Sequence, residues 1–237
     1  MPDAPEEAFT SMPILGLGDA LRRARSRLRG DPDRFLRHTR GVIHVGANIG
    51  QEAHRYDALG LHVLWVEPIP EIFARLNTNI SRYPRQRALQ ALLTDREDVS
   101  YDFHVANNDG ASSSILDFHL HKDVWPTVAF ERSLVLQSTT LHSLVTKHAV
   151  DLSIFSALVM DTQGSELLVL RGAEPILSGF AFIKTEVADF ESYSNCCQLT
   201  ELTAFLSQRG FRESSRRAFA EHPGGGRYYD IVYQRLA

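Results

Sequence analysis

The chain has only two cysteines in 237 residues, adjacent at Cys196 and Cys197. Neighbouring cysteines make no disulfide framework and lack zinc spacing, so they read as a pair of reduced thiols. No apolar run is long enough to span a bilayer, which argues against a membrane-crossing helix. The N-terminus is acidic and lacks the charged-then-apolar order of a secretory leader, so the cytoplasm is the expected compartment. Positive charge is not in excess either. Lys and Arg number 25 against 29 Asp and Glu, a formal charge of −4, so no nucleic-acid partner is expected. No internal repeat is visible and no linker splits the chain. What remains is normal globular usage, 43% hydrophobic and 23% charged, at a length suited to one enzyme-sized domain.

The most informative stretch is GVIHVGANIGQE, residues 41–52. A short apolar run feeds into a glycine-spaced turn, and a helical pattern follows at once. Strand, turn and helix in that order bring backbone amides and the positive end of a helix dipole to one spot. Gly46 and Gly50 let the chain turn and let a ligand approach the backbone. Asn48, between them, tolerates positive φ better than most residues. A second apolar run, residues 61–66, ends in Glu67. A carboxylate about twenty residues beyond a glycine turn is where nucleotide-binding α/β units hold ribose hydroxyls. The dinucleotide pattern G-x-G-x-x-G fails, because His44 occupies its first glycine.

Taken in order, residues 1–15 read as loosely packed, and residues 17–30 as a helix capped by Asp19 and stopped by Gly30. Its arginine-rich face is either a solvated surface or a contact for an anionic acceptor or a membrane surface. Residues 1–40 are thus expected to form an arm with a basic helix, and 41–237 the main domain. Helices are expected over 51–59 and from Pro70, with Ile72, Phe73, Leu76 and Ile80 on one face. A third strand spans 87–93 and closes with Thr94 and Asp95. An added strand over 99–105 runs into the turn Asn107-Asn108-Asp109-Gly110 and a polar insertion. A short strand at 134–136 and a helix from 139 follow. Residues 155–160 are nearly all apolar, hence buried on both faces, and end at Asp161. Pro175 bends or divides the next helix, and a strand over 181–187 carries Glu186. A last helix and two closing strands, 211–219 and 228–234, complete the chain. This alternation requires an α/β fold: a mostly parallel sheet with helices on both faces and one antiparallel strand near the C-terminus.

The x-G-A-N-x-G turn with Glu67 behind it resembles the cofactor site of class I methyltransferases that use S-adenosylmethionine, and GANIG in particular resembles the FkbM family. The resemblance runs from about residue 41 to 211. It rests on HVGANIGQE, the WVEP block at 65–68, NNDGASSSIL, TTLHSL, MDTQGSELLVLRGA, and the Glu186-Val187 strand end followed by Tyr193. It implies a Rossmann-like seven-stranded sheet and methyl transfer from S-adenosylmethionine, usually to a hydroxyl of a sugar, polyketide or other small natural product. It also implies cofactor contacts from His44, Gly46, Ala47, Asn48, Gly50, Gln51, Glu67, Pro68 and Asp161. In the same pattern the third strand's end faces the adenine, so Thr94 and Asp95 either meet the exocyclic amine or simply start a turn. Two positions depart from the family. Thr140-Leu141-His142 stands where T-L-D is common, and Val159 stands where a lysine usually precedes the strand-ending aspartate.

Methyl transfer to oxygen needs an oriented acceptor and a base for its proton. Asp161 and Glu186 end neighbouring strands at the edge where open α/β sheets bind ligands, so they are the candidate catalytic carboxylates. Asp161 has a competing reading as the cap of the helix that follows. The insertion supplies the candidate acceptor contacts, Asn108, Ser113 and His121. His104, His119, His121 and His142 are alternative bases or ordinary packed residues, and no spacing demands a metal. The leading expectation is O-methylation of a small molecule. A methyltransferase of macromolecules and a non-catalytic nucleotide-binding protein are the other classes. An N-P-P-Y-like amine motif, which would favour the former, is missing.

Overall fold

The computed structural model describes residues 33–236. The expected basic helix therefore lies outside the described residues, and of the expected arm only residues 33–40 are described. The main sheet has seven strands in the order β3-β2-β1-β7-β8-β10-β9. They are β1 (Gly41–Val45), β2 (His62–Glu67), β3 (Gln86–Gln90), β7 (Ala157–Met160), β8 (Phe182–Ala188), β9 (Phe211–Glu221) and β10 (Arg227–Arg235). The strands from β3 to β8 pair in parallel, while β10 runs antiparallel to both β8 and β9. This is the mostly parallel seven-stranded sheet, with one antiparallel strand near the C-terminus, that the resemblance implies.

Covering both faces explains the apolar runs. Every residue of β1 and β7 is buried, as a central parallel strand requires. One face packs Ile43, Val45, Leu64, Val66, Leu158 and Met160 against α4 (Leu141–Lys147), α5 (Glu166–Gly172), α6 (Glu174–Leu177) and α7 (Leu199–Ser207). The other packs Val42, Val63, Trp65 and Val159 against α1 (Ala53–Ala58) and α2 (Pro70–Ile80), through Tyr56, Leu76 and Ile80. Phe35 and Leu36, from a 3-10 turn over Arg34–His38, close the same face, with Phe35 5.6 Å from the Phe182 ring. Pro175 does divide its helix, sitting at the start of α6, where a missing N–H costs nothing.

Two sequence expectations need correction. The third strand is not continuous to residue 93. It ends at Gln90, and Leu92–Leu93 (β4) joins a separate three-stranded sheet of order β4-β6-β5. There β5 (Ser100–Ala106) is antiparallel to β6 (Phe130–Thr139), and β4 is parallel to it. The strand expected at 134–136 is therefore the middle of a ten-residue one. Among the described residues only one face of β6 is covered, so its apolar residues alternate with solvent-facing ones and Val135 is 72% exposed. Sparse alternation is a weaker sequence signal than a buried run. The four-residue α3 (His121–Val124) precedes this hairpin's return strand.

Leu158 is 0% exposed in the middle of the sheet. Leu158→Ala should lower the unfolding free energy by about 2–5 kcal/mol in denaturant titrations. A loss under about 0.5 kcal/mol would show that this layer is not packed as described.

Candidate active site

Strand register builds the site. Val45 pairs with Val66 and Met160, and Met160 pairs with Thr185. One residue further along, Glu67, Gly46, Asp161 and Glu186 fall into a single row. Glu186 then pairs with Asp230, and Asp230 with Arg217, which also forms an ion pair with it. Side chains in a row of paired residues share a face of the sheet. The C-terminal edge of the sheet thus carries four acids and one arginine across six strands, at the point where strand order reverses between β1 and β7.

Gly46 is the residue this row cannot vary. Its φ is +75°, and an added Cβ would lie 1.8 Å from the carbonyl oxygen of Asp161. The turn after it is held by Glu67. One carboxylate oxygen accepts from Asn48 N at 2.8 Å and the other from Ile69 N at 3.0 Å. Asn48 adopts φ 45°, as its place between the glycines led us to expect. Its side-chain amide donates to Asp109 O at 2.9 Å, tying the insertion to the glycine turn.

Asp161 accepts a hydrogen bond from the Gln163 amide nitrogen, and the Gln163 amide oxygen accepts from the Tyr193 hydroxyl at 2.7 Å. Burial pushes the Asp161 carboxyl up to about 7, against the Gln163 bond and with help from the charges of Glu166, Asp230 and Glu52. Burial raises Glu67 to about 7 as well, opposed by its two backbone bonds. Glu186 is also raised well above the ordinary carboxylate range, by burial first and then by Asp161 and Asp230. Glu166 does not line the cleft. It accepts from Thr162 N at 2.9 Å and Gly164 N at 3.1 Å, so it holds the loop that presents Gln163.

The cleft between these elements opens to solvent and has a cavity volume of about 220 Å³. Of the residues singled out in the sequence, His44, Gly46, Ala47, Asn48, Gln51, Glu67, Pro68, Ser113 and Asp161 line it. Glu186 is half-buried beside Asp161 in the same row, outside the lining itself. Gly50 is also outside: a Cβ there would meet Leu76 Cδ1 at 2.8 Å, so it serves the packing of the turn on α2. Thr94 and Asp95 are elsewhere because the chain leaves the main sheet at Ala91. Thr94 is buried with its hydroxyl bonded to Arg96, and the wall they were expected to form is Ala91, Leu92, Leu93 and Phe103. Asn108 holds Ser112 within the insertion rather than facing the cleft. His121 is buried against Phe118, Trp125, Tyr193 and Tyr228, with Nδ1 2.8 Å from the Tyr228 hydroxyl, and burial lowers it to about 4. Among the lining residues that the sequence did not single out are Ile69, Phe103, Glu52 and Gln163. Two of these left a trace, Glu52 at the end of GANIGQE and Gln163 in the DTQGSE loop after the most apolar strand.

The sequence matches the Methyltransferase FkbM domain over residues 44–213. The chain belongs to the FkbM methyltransferase family. The matched FkbM region contains every lining residue of the cleft. A curated relative, the 2-O-methyltransferase NoeI of Sinorhizobium fredii (strain NBRC 101917 / NGR234), is 28% identical over 173 residues, 70% of each chain. Among solved structures, an uncharacterized protein of Listeria monocytogenes serotype 4b gives a TM-score of 0.49 at 8% identity, over 87% of this chain and 68% of that one. M. jannaschii TYW2 in complex with AdoMet gives 0.44 at 12% identity, over 94% of this chain and 78% of that one.

The raised carboxyls set a direction for stability. Glu67 and Asp161 bind protons more tightly folded than unfolded, so their ionisation opposes folding. That penalty is absent below the ordinary carboxylate range, grows as pH rises from about 4, and is complete above about 7. Unfolding free energy should therefore carry a falling component between about pH 4 and about pH 7, and Asp161→Asn should make the fall shallower. Parallel pH curves for the two proteins would show that Asp161 titrates normally.

Proposed function

We propose that this FkbM protein transfers the methyl group of S-adenosylmethionine to a hydroxyl of a small molecule. The observation that carries the reading is the in-register pair Asp161 and Glu186, set at the sheet edge next to the Gly46 turn. The cleft's chemistry suits that cofactor. Gly46 lines the cleft with backbone alone. Glu67 keeps acceptor capacity beyond its two backbone bonds for a ribose diol. Leu92, Phe103 and Ile69 offer an apolar wall for a base. Ionised Asp161 and Glu186 favour a cation nearby. Bound there, S-adenosylmethionine supplies a sulfonium methyl that is already reactive.

The protein's own contribution is then positioning and one proton. Holding the acceptor oxygen in line with the methyl is worth roughly 7–11 kcal/mol in favourable cases. Asp161 accepts the hydroxyl proton as the new bond forms, and a carboxyl raised to about 7 is well matched to that task. Glu186 supports Asp161 or shares the role. The insertion at Gly110, Ala111 and Ser113 covers the pocket through the Asn48–Asp109 contact. The relative named as a 2-O-methyltransferase supports an oxygen acceptor.

Three measurements test this. Incubation with S-adenosylmethionine and a panel of hydroxyl compounds should give an O-methylated product, and a product methylated on nitrogen would overturn the reading. Asp161→Asn should lower turnover by about 10²–10⁴-fold while S-adenosylhomocysteine still binds. Near-normal turnover would make Asp161 structural. The preference for cationic S-adenosylmethionine over neutral S-adenosylhomocysteine should widen as pH rises through about 7, because more of the carboxyl pair is then ionised. A preference that calorimetry finds constant with pH would place the pair away from the sulfur.

A further inference from the structure

We infer that Gln163 and Tyr193 are positioning residues for the Asp161–Glu186 carboxyl pair, with the Tyr193 hydroxyl fixing which end of the Gln163 amide faces the carboxyls. The purpose of this arrangement rests on the proposed role of Asp161; the arrangement itself rests on contacts alone.

A primary amide is nearly symmetric in shape but has donors at one end and an acceptor at the other. With its nitrogen toward Asp161 it stabilises the carboxylate. With its oxygen there it would repel the carboxylate and favour the protonated acid. Something must choose between the two. Tyr193 is 1% exposed, and its hydroxyl lies 2.7 Å from the Gln163 oxygen and 3.2 Å from Ser112 O, so the shorter bond goes to Gln163. Burial raises the Tyr193 phenol well above its usual range, so it stays a donor wherever the enzyme is folded. With the hydroxyl hydrogen on the shorter bond, to the Gln163 oxygen, and a carboxylate on the other side, the amide sits with its nitrogen toward Asp161.

Both partners are held from behind. Gln163 itself has φ 53°, and the loop around it is fastened by Glu166. Gly164 follows at φ +99°, with so little room that a Cβ would lie 2.9 Å from Cys196 Cβ. The Tyr193 ring sits 4.9 Å from His121 and 5.5 Å from Phe118. Neither side chain can drift to a compromise position without moving a packed neighbour.

The carboxyl pair needs such a partner because its surroundings are acidic. Glu52 on the turn before α1, Glu67 at the end of β2, Glu166 on α5 and Asp230 on β10 face it. Arg217 on β9 is engaged by Asp230, Lys184 lies two residues earlier on β8, and the phenols of Tyr193 and Tyr228 stand on the far side. Gln163 favours the ionised form of both Asp161 and Glu186 by hydrogen bonding.

The test needs no acceptor. In the full-length, ligand-free protein, the infrared band of buried protonated carboxyls is followed against pH and assigned to the pair by its change in Asp161→Asn. Tyr193→Phe deletes only the hydroxyl, and Gln163→Leu removes the amide at similar size. Each should raise the pair's midpoint by about one pH unit, a tenfold gain in proton affinity. A purely structural role would lower the melting temperature and leave the midpoint in place, and that result in either folded variant overturns the inference. If Tyr193→Phe does not fold, Gln163→Leu decides alone. The outcome is separable from the catalytic reading: normal turnover in Asp161→Asn sinks the base assignment without touching this titration, whereas an unmoved midpoint sinks the positioning role and leaves the base assignment standing.

Discussion

Parallel strand register places acids side by side at the end of this sheet, and the rest of the site answers the repulsion that results. Glu67, Asp161, Glu186 and Asp230 share one row, with Gly46 between the first two. Like charges at adjacent positions in a partly buried setting cannot all ionise freely. The structure offsets this in three ways. Backbone amides of Asn48 and Ile69 take up Glu67. Arg217 takes up Asp230. The Gln163 amide takes up Asp161. Each compensation comes from a different element, so the acids tie the glycine turn, the last hairpin and the loop before α5 to one another. A fifth acid, Glu166, spends its hydrogen-bonding capacity on the loop amides instead, which separates it from the row although it lies only five residues from Asp161.

Much of this was legible in the sequence because it depends on local rules. Residues 41–52 read as strand, turn and helix, and the strand, the turn and α1 from Ala53 are present. The apolar run before Asp161 reads as a doubly covered strand, and β7 is one. Glu67 is placed by counting from the glycine turn, since a strand–helix–strand unit has a nearly fixed length. What could not be read depends on where the chain leaves a layer. The departure at Ala91 shifts the cleft wall from Thr94 and Asp95 to Leu92 and Phe103, and no residue there announces a change of sheet. His121 shows the same limit. Its surroundings come from Tyr193 and Tyr228, far along the chain, and only their convergence turns an exposed-looking histidine into a buried one. Gln163 was hidden for another reason: its importance lies in a bond to Tyr193 that spans 30 positions.

The two departures from the family pattern can now be placed. Val159 is buried in the layer below Asp161, paired with His44 on one side and Lys184 on the other. A lysine therefore stands in this row after all, one strand over, at the register position next to Val159. His142 lies in the first turn of α4, beside the Thr140 cap, which accepts from Ser143 N at 3.1 Å. That turn is braced from outside the helix by Glu97, which accepts from Thr140 N at 2.7 Å and from the Thr139 hydroxyl at 2.8 Å. An acid thus reaches the same helix start from a neighbouring loop.

The second sheet has a geometric property of its own. The excursion from the main sheet departs at β4 and returns at the end of β6, and those two segments pair in parallel, Leu92 with Ser138 and Leu93 with Thr139. Its two ends are therefore side by side whatever lies between them. A loop whose ends already meet can lengthen at small cost, since closure entropy grows only with the logarithm of its length. The excursion also carries Phe103, Gly110, Ala111 and Ser113 to the cleft. Descendants of such a fold can swap or extend this segment and remodel one wall of the pocket without renegotiating the strands that hold the acids. Acceptor choice can then diverge faster than the transfer chemistry, because the two are inherited on parts of the chain joined at a single stitched seam.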